Sequence, residues 1–320
     1  MLFRNLSASP ALDIQRYADI DHFRQSERYA HAESIPLKGS DFSVMRASLA
    51  LPSCRLSLVR TFPRIINGYE LSRRLIVVIP MDGVSSTKVN GRAIGQSLIL
   101  LHGNANCTVL EPEGRLASIL SIDATALDQD WLNFSNAFLL LPLPAAELAQ
   151  LQALICSVLE FASKEPAAIT AAGVLQSAQE TLFAGIKAAL HSNQINEFTS
   201  HETLDRYKAI VDRVDELVQL NPIDHLSNEK LADAIGVSVR TLQTASFSVC
   251  GSGTYRYSRL RRLWSVRRHL RTGASGLTVK ASAIAHGFWH QSEFSNAYRA
   301  AFGELPSLTL EQARFRTTYL

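Results

Sequence analysis

Long hydrophobic runs are missing from this 320-residue sequence. No stretch reaches the ~18 uncharged apolar residues that a membrane-crossing helix needs, and the run from Ala137 to Pro144 is the longest. The first residues, Met1 to Asp13, hold no basic start followed by an apolar core and a cleavage site, so no secretory leader is expected. Cysteine is sparse. Cys54, Cys107, Cys156 and Cys250 are scattered, with no Cys-x-x-Cys pair and no histidine at zinc-ligand spacing. That argues against a zinc finger and predicts reduced, mostly buried thiols. No His-x-His occurs, and His22, His31 and His102 stand alone, so neither a metal site nor a cofactor is expected. Ser, His and Asp form no recognisable nucleophilic arrangement. Together these absences lead to the expectation of a cytoplasmic protein that is not an enzyme and meets no membrane.

What is present is an ordinary globular balance, 47% hydrophobic and 19% charged residues, on a chain long enough for two buried cores. The net charge of +3 conceals an asymmetry. Residues 1–202 carry 16 Lys/Arg against 19 Asp/Glu, whereas residues 203–320 carry 16 against 10. A basic module on a slightly acidic one suits a polyanion partner for the module, although solvated basic faces are common.

After a mixed first 40 residues with a short helix over Ile20–Ala30, the pattern turns to strands. Phe42–Leu51, Arg55–Phe62, Arg74–Met81, Val84–Val89, Ser97–Leu101, Thr108–Leu110 and Leu116–Ile122 are short β-like segments. The turn signals Asp82-Gly83 and Asn90-Gly91 punctuate them. This spacing predicts a β-barrel or sandwich. From Pro144 the period becomes helical. Leu148, Leu151, Ile155, Val158 and Ala162 form a heptad-like seam, and a second helix runs from Ala167 to Leu190. The seam suits packing on the barrel, pairing with a second subunit, or both. The polar stretch Ser192–His201 is expected to be a linker.

The last hundred residues contain an approximate repeat. Thr203–Leu220 is helical, stopped by Asn221-Pro222. Ser227 can cap the helix that follows, Gly236 fits a left-handed turn, and Ser238 can cap the next helix, Val239–Phe247. About fifty residues on, Val279–His286, Gly287 and Gln291–Ala301 repeat the arrangement, with Gly303 and Pro306 ending it. Helix, glycine turn and capped helix is the signature of a helix-turn-helix. Between the two, Thr254–Arg271 reads as one helix carrying Arg256, Arg259, Arg261, Arg262, Arg267, Arg268 and Arg271.

The segment resembles the DNA-binding domain of the AraC/XylS family of regulators. The matching residues are Arg240-Thr241-Leu242-Gln243, Gly251, Tyr257, Arg262-Leu263 and Arg267-Arg268-His269-Leu270. They continue with Ile284-Ala285-His286-Gly287-Phe288, Phe294, Tyr298-Arg299 and Phe302-Gly303-Glu304-Leu305-Pro306-Ser307. The tail is similar to the subgroup that includes ethanolamine-operon regulators. Three positions depart from the pattern: Ser246 where a core Phe is usual, Thr254 for a frequent Pro, and Ser258 for an apolar residue.

The resemblance implies an α+β chain. A cupin-like β-barrel over 1–143 would bind an effector, a helical dimerisation region and linker would span 144–201, and an all-α DNA-binding domain with two helix-turn-helix units would span 202–320. It places Arg240, Gln243 and Thr244 of the first reading helix, and Gln291, Ser292, Glu293 and Asn296 of the second, at double-stranded DNA. By chemistry Arg suits guanine, Gln and Asn suit adenine, and Glu accepts from cytosine. Arg60, Arg64, Tyr69, Arg73 and Arg74 are candidates to hold an anionic small-molecule effector, against the plainer reading as surface charges. The implied partners are DNA, an effector, RNA polymerase and a second copy of the chain; activation is the family's commoner habit. The alternatives are a cupin-type small-molecule enzyme, which the missing metal constellation opposes, and a ligand-independent regulator controlled by abundance or a protein partner.

Overall fold

The structure, a computed structural model, describes residues 2–26, 31–37, 42–83, 86–127, 138–192, 202–223 and 226–318. A sheet-rich N-terminal region precedes a helical C-terminal one. The strands are β1 (Leu12–Tyr17), β2 (His31–Pro36), β3 (Val44–Ala50), β4 (Cys54–Arg60), β5 (Arg64–Pro80), β6 (Lys88–Val89), β7 (Arg92–Ala93), β8 (Ser97–Glu111), β9 (Leu116–Asp123) and β10 (Phe138–Pro142). The helices are α1 (Ile20–Ser26), α2 (Ala145–Lys164), α3 (Pro166–Ile169), α4 (Val174–Ser192), α5 (Glu202–Leu220), α6 (Asn228–Ile235), α7 (Val239–Cys250), α8 (Thr254–Arg271), α9 (Val279–Ala285), α10 (Gln291–Phe302) and α11 (Pro306–Thr318). The expected linker lies mostly outside the described residues, as do Val84 and Ser85 of the strand expected there.

Every pairing is antiparallel, in the order β1-β3-β4-β9-β5-β8-β6-β7, with β10 added to β8 and β2 to β5. Among the described residues these pairings do not close on themselves, so the expected barrel is an open, branched sheet. The segments expected as Ser97–Leu101 and Thr108–Leu110 are one continuous strand, β8. It pairs along most of β5, with register shifts at Asn67/Tyr69 and Leu71/Leu75.

Alternation along the strands gives the sheet two apolar faces. Leu75, Val77 and Ile79 join Leu98, Leu100, Leu120 and Ile122 under α2 and α4, where they meet Leu148, Leu151, Ile155 and Ile186. Ile76, Val78, Ile99 and Leu101 point to the other side. The heptad-like seam is therefore spent on the chain's own sheet, with Leu159 taking the fully buried position and Val158 only partly buried. By length and composition α2 is apolar enough to cross a membrane, contrary to the expectation from runs alone; its inner face packs in this core. The second helix of the region is interrupted before Val174, where Gly173 adopts φ +82°.

The helical region packs against the sheet along a broad seam. Ile65 and Leu110 share a core with Val211, Val214, Leu242, Val249 and Tyr257. Tyr17, Ile20, Phe23, Ile35 and Phe62 surround Trp264 of α8, which is 1% exposed. The tightest approach is at Gly251, which ends α7 at φ +69°. A Cβ there would stand 2.8 Å from Leu110 Cδ2. Gly236 ends α6 with φ +77° but faces open space. Replacing either by alanine incurs the left-handed penalty of about 1–2 kcal/mol; Gly251→Ala also has to displace Leu110. Thermal unfolding should therefore show a larger fall in Tm for Gly251→Ala than for Gly236→Ala. Equal falls would mean that the seam is looser than the structure draws it.

Candidate nucleic-acid interface and ligand cavity

The two helix pairs of the C-terminal region arise from local chemistry at their ends. Ser227 and Ser238 accept from the backbone of Lys230 and Thr241, capping α6 and α7. Thr278 caps α9 in the same way, accepting from Ala281 N at 3.0 Å. Gly236 and Gly287, both left-handed, turn the chain between the members of each pair. Leu242, Ala245 and Val249 bury one side of α7; Phe294, Tyr298 and Ala301 bury one side of α10. The opposite sides carry the residues expected at DNA. Arg240 and Thr244 are exposed on α7, and Ser292, Glu293 and Asn296 are exposed on α10. Two of the seven stand differently. Gln243 is half-buried, its Oε1 lying 2.9 Å from where a Cβ on Gly253 would be. Gln291 is half-buried too, with its Nε2 shielded from solvent. Thr244 Oγ1 donates back to the Arg240 carbonyl at 2.9 Å.

Beside these faces Trp289 is 61% exposed and Phe247 57% exposed. The three departures from the family pattern fall at one place. Ser246 and Thr254 are both fully buried and hydrogen-bond each other, Oγ to Oγ1, at 2.8 Å, joining the middle of α7 to the start of α8. A polar pair thus stands where an aromatic ring and a proline were expected. Ser258 is buried nearby.

The arginines of α8 divide. Arg256 is exposed and Arg259 half-exposed, while Arg262 is buried with its guanidinium 5.5 Å over the Phe288 ring. Four others reach across the seam. Arg267 Nη2 meets Asp21 Oδ2 at 2.7 Å and Arg271 Nη1 meets it at 3.2 Å. Arg268 Nη1 meets Glu33 Oε1 at 2.8 Å, and Arg261 pairs with the other oxygen of Glu33. Arg261 Nε also lies 3.0 Å from Asp215 Oδ1. Burial would lower the Arg267 guanidinium, but Tyr298, Asp21 and Glu304 outweigh it and hold it above the ordinary arginine range. These four arginines tie α8 to the sheet-rich region. Asp21 and Glu33 were missed because they sit in a polar stretch without periodicity. Close by, Tyr257 OH donates to Asp215 Oδ2 at 2.8 Å and Asn67 Nδ2 donates to Tyr257 OH at 2.8 Å. Burial pushes the Asp215 carboxyl up to about 6, against the pull of Arg261.

On the sheet face opposite α2 and α4 lies a cavity of 540 Å³, within the range of small-molecule sites of about 300–1,000 Å³. Of the five expected effector residues, Arg64 lines it, 6% exposed. Its Nε donates to Glu111 Oε2 at 2.7 Å. Arg60 is exposed at the end of β4. Arg74 donates to the Ser121 backbone and hydroxyl. Tyr69 and Arg73 lie in β5, and their side chains fall outside the described residues. Sequence reasoning missed Arg46, Arg115 and Glu111, which also line the cavity. Among the described residues no group of three or more His, Cys, Asp and Glu is placed to hold a metal ion.

Residues 231–312 match the model of the family described as "Helix-turn-helix domain". The "XylDLEGF operon transcriptional activator" of Pseudomonas putida is 31% identical over 133 residues, 41% of this chain and 41% of that protein. The chain thus spans about two-fifths of the length of the curated relatives it matches. A probable AraC family transcriptional regulator from Rhodopseudomonas palustris is similar at 33% identity, over 33% of this chain and 98% of that one, with a TM-score of 0.31. ToxT of Vibrio cholerae is similar at 11% identity, over 95% of this chain and 98% of that one, with a TM-score of 0.32. The first of these is a transcriptional activator and the second a probable transcriptional regulator.

The buried Ser246–Thr254 pair gives a test of how the first unit is held. Ser246→Ala or Thr254→Val strands the other hydroxyl in an apolar site, which costs about 1–3 kcal/mol. The double variant removes both and should be less destabilised than the two singles added together. Strict additivity in urea unfolding would show that the two hydroxyls do not depend on each other.

Proposed function

We propose that this chain is a sequence-specific DNA-binding transcription regulator, an activator, whose residues 202–320 form a DNA-binding domain with two helix-turn-helix units. One observation carries the reading. On both α7 and α10, each the second member of a glycine-turned helix pair, polar residues expected at base edges stand exposed, Arg240 and Thr244 on the one and Ser292, Glu293 and Asn296 on the other, while the opposite side is core. Residues 1–143 form the effector-binding part, a cupin-like sheet whose cavity takes the effector, and 144–201 link the two. The tail motifs Gly287-Phe288-Trp289-His290 and Phe302-Gly303-Glu304-Leu305-Pro306-Ser307 support a kinship with the ethanolamine-operon regulator-like subgroup. RNA polymerase is the further partner an activator requires, and the cytoplasm is where such a regulator meets both.

Reading helices of this kind enter successive major grooves about 34 Å apart. Selection from a pool of random duplex DNA, at two salt concentrations, should therefore enrich a motif with two half-elements one helical turn apart. Strongly salt-dependent binding without a motif would reduce the interaction to phosphate contact and defeat the reading. On the selected sequence, the Gln291→Ala, Asn296→Ala pair should weaken binding more than the Gln243→Ala, Thr244→Ala pair. Thr244 already donates to its own helix, and Gln243 is half-buried beside Gly253. A neutral first pair with a disabling second pair would reverse that ranking.

A further inference from the structure

We infer that the first reading helix, α7, selects its sequence in part by apolar contact: the Phe247 ring packs on the C5-methyl group of a thymine in the major groove. This rests on the reading of α7 as a DNA-facing helix and adds what that helix recognises and through which side chain.

The polar residues of α7 are partly spent within the protein. Thr244 Oγ1 donates to the Arg240 carbonyl at 2.9 Å, and Gln243 is half-buried beside Gly253. The same side of the helix presents Phe247, 57% exposed. It follows Thr244 by three residues, Gln243 by four and Arg240 by seven, the spacings that align side chains along one side of a helix. Leu242, Ala245, Ser246 and Val249 are buried on the other side. Phe247 is therefore not a core residue left partly open; it stands on the side turned away from the core.

The ring also has a seat. Its Cε2 and Cζ lie 3.5 and 3.7 Å from where a Cβ on Gly253 would be, and Gln243 Oε1 lies 2.9 Å from the same point. The missing side chain at Gly253 lets ring and amide lie side by side at the start of α8. A ring already placed in this way loses little freedom when a partner covers it.

The surroundings define the partner. Neither α7 nor α8 contains an Asp or Glu, and Arg240 of α7 and Arg256 in the first turn of α8 are exposed. An apolar group flanked by cations fits a surface that is negative along its rim and carries apolar groups within. The major groove is such a surface: phosphates line its edges, and thymine presents a methyl group there. A wholly apolar protein surface would leave both guanidinium groups without a counter-charge. The second reading helix is built otherwise. The exposed residues of α10 are Ser292, Glu293, Asn296, Arg299 and Ala300, and none is aromatic.

The test removes the methyl group alone. In the duplex enriched by selection, each dT is replaced in turn by dU, which keeps every hydrogen-bonding group of the base. Affinity for the full chain is read by fluorescence anisotropy. One replacement should weaken binding about fourfold, the worth of burying one methyl group. Phe247→Ala should bind dT and dU at that position equally, and Phe247→Leu, still apolar, should keep part of the difference. Asn296→Ala should lose affinity yet keep the full difference there, because it alters the other reading helix. A difference that persists in Phe247→Ala would belong to another contact, and a duplex with no sensitive dT would mean that the ring meets no methyl group. Either result would overturn the inference and leave the DNA-reading proposal standing. Selection that enriches no motif would defeat that proposal, and the inference with it.

Discussion

The pairing of Arg267 is the interaction on which the arrangement of the chain depends. Its guanidinium is 3% exposed and lies between Asp21 of α1 and Glu304 at the turn from α10 into α11, 2.7 Å from each. A buried cation of this kind must be paired, and removing one partner costs about 3–5 kcal/mol. Glu304 also accepts from Thr309 Oγ1 at 2.6 Å, and Tyr298 OH bonds Thr309 at 2.9 Å, so the charge sits in a network rather than an isolated pair. One side chain thus fixes the sheet-rich region, the connecting helix and the second helix pair relative to one another. Its neighbours Arg261, Arg268 and Arg271 extend the same seam.

Strand alternation supplies the other half of the design. Odd-numbered residues of β5 from Leu75 to Ile79 face α2 and α4, and the even-numbered ones between them face the cavity. The helices therefore cover one side, which leaves the other free for a pocket. α1 and β2 lie over that pocket and beneath α8, so the pocket and the helical region are separated by a single layer of structure.

The C-terminal elements were legible because their signals are local. Caps at Ser227 and Ser238, glycines at 236 and 287 and the apolar spacing of α7 and α10 are sufficient to place those helices to within a few residues. Pro306, read as blocking the extension of α10, also begins α11, a place where proline's missing N–H is harmless. The sheet was less legible. β1 and β2 are polar strands, recruited by pairing with β3 and β5 rather than by their own pattern. β5 runs through Asn67, Gly68 and two register shifts that break its alternation, so only its apolar half announced itself. Of the candidate site residues, the helix-face ones follow from periodicity, whereas Arg64 could be separated from Arg60 and Arg74 only by knowing which sheet face each occupies. The ion pairs that tie α8 to α1 and β2 join residues more than 200 positions apart, such as Asp21 and Arg267, and no local pattern encodes them.

The most direct test of this account is a double-mutant cycle on Asp21→Asn and Arg267→Gln in the full chain, read by urea unfolding. If the buried pair holds the two regions together, the coupling energy should exceed about 1.5 kcal/mol, within the range for contacting residues in one network. A coupling energy near zero would mean that the seam is held by its apolar contacts alone, and would contradict the claim that Arg267 fixes the helical region on the sheet.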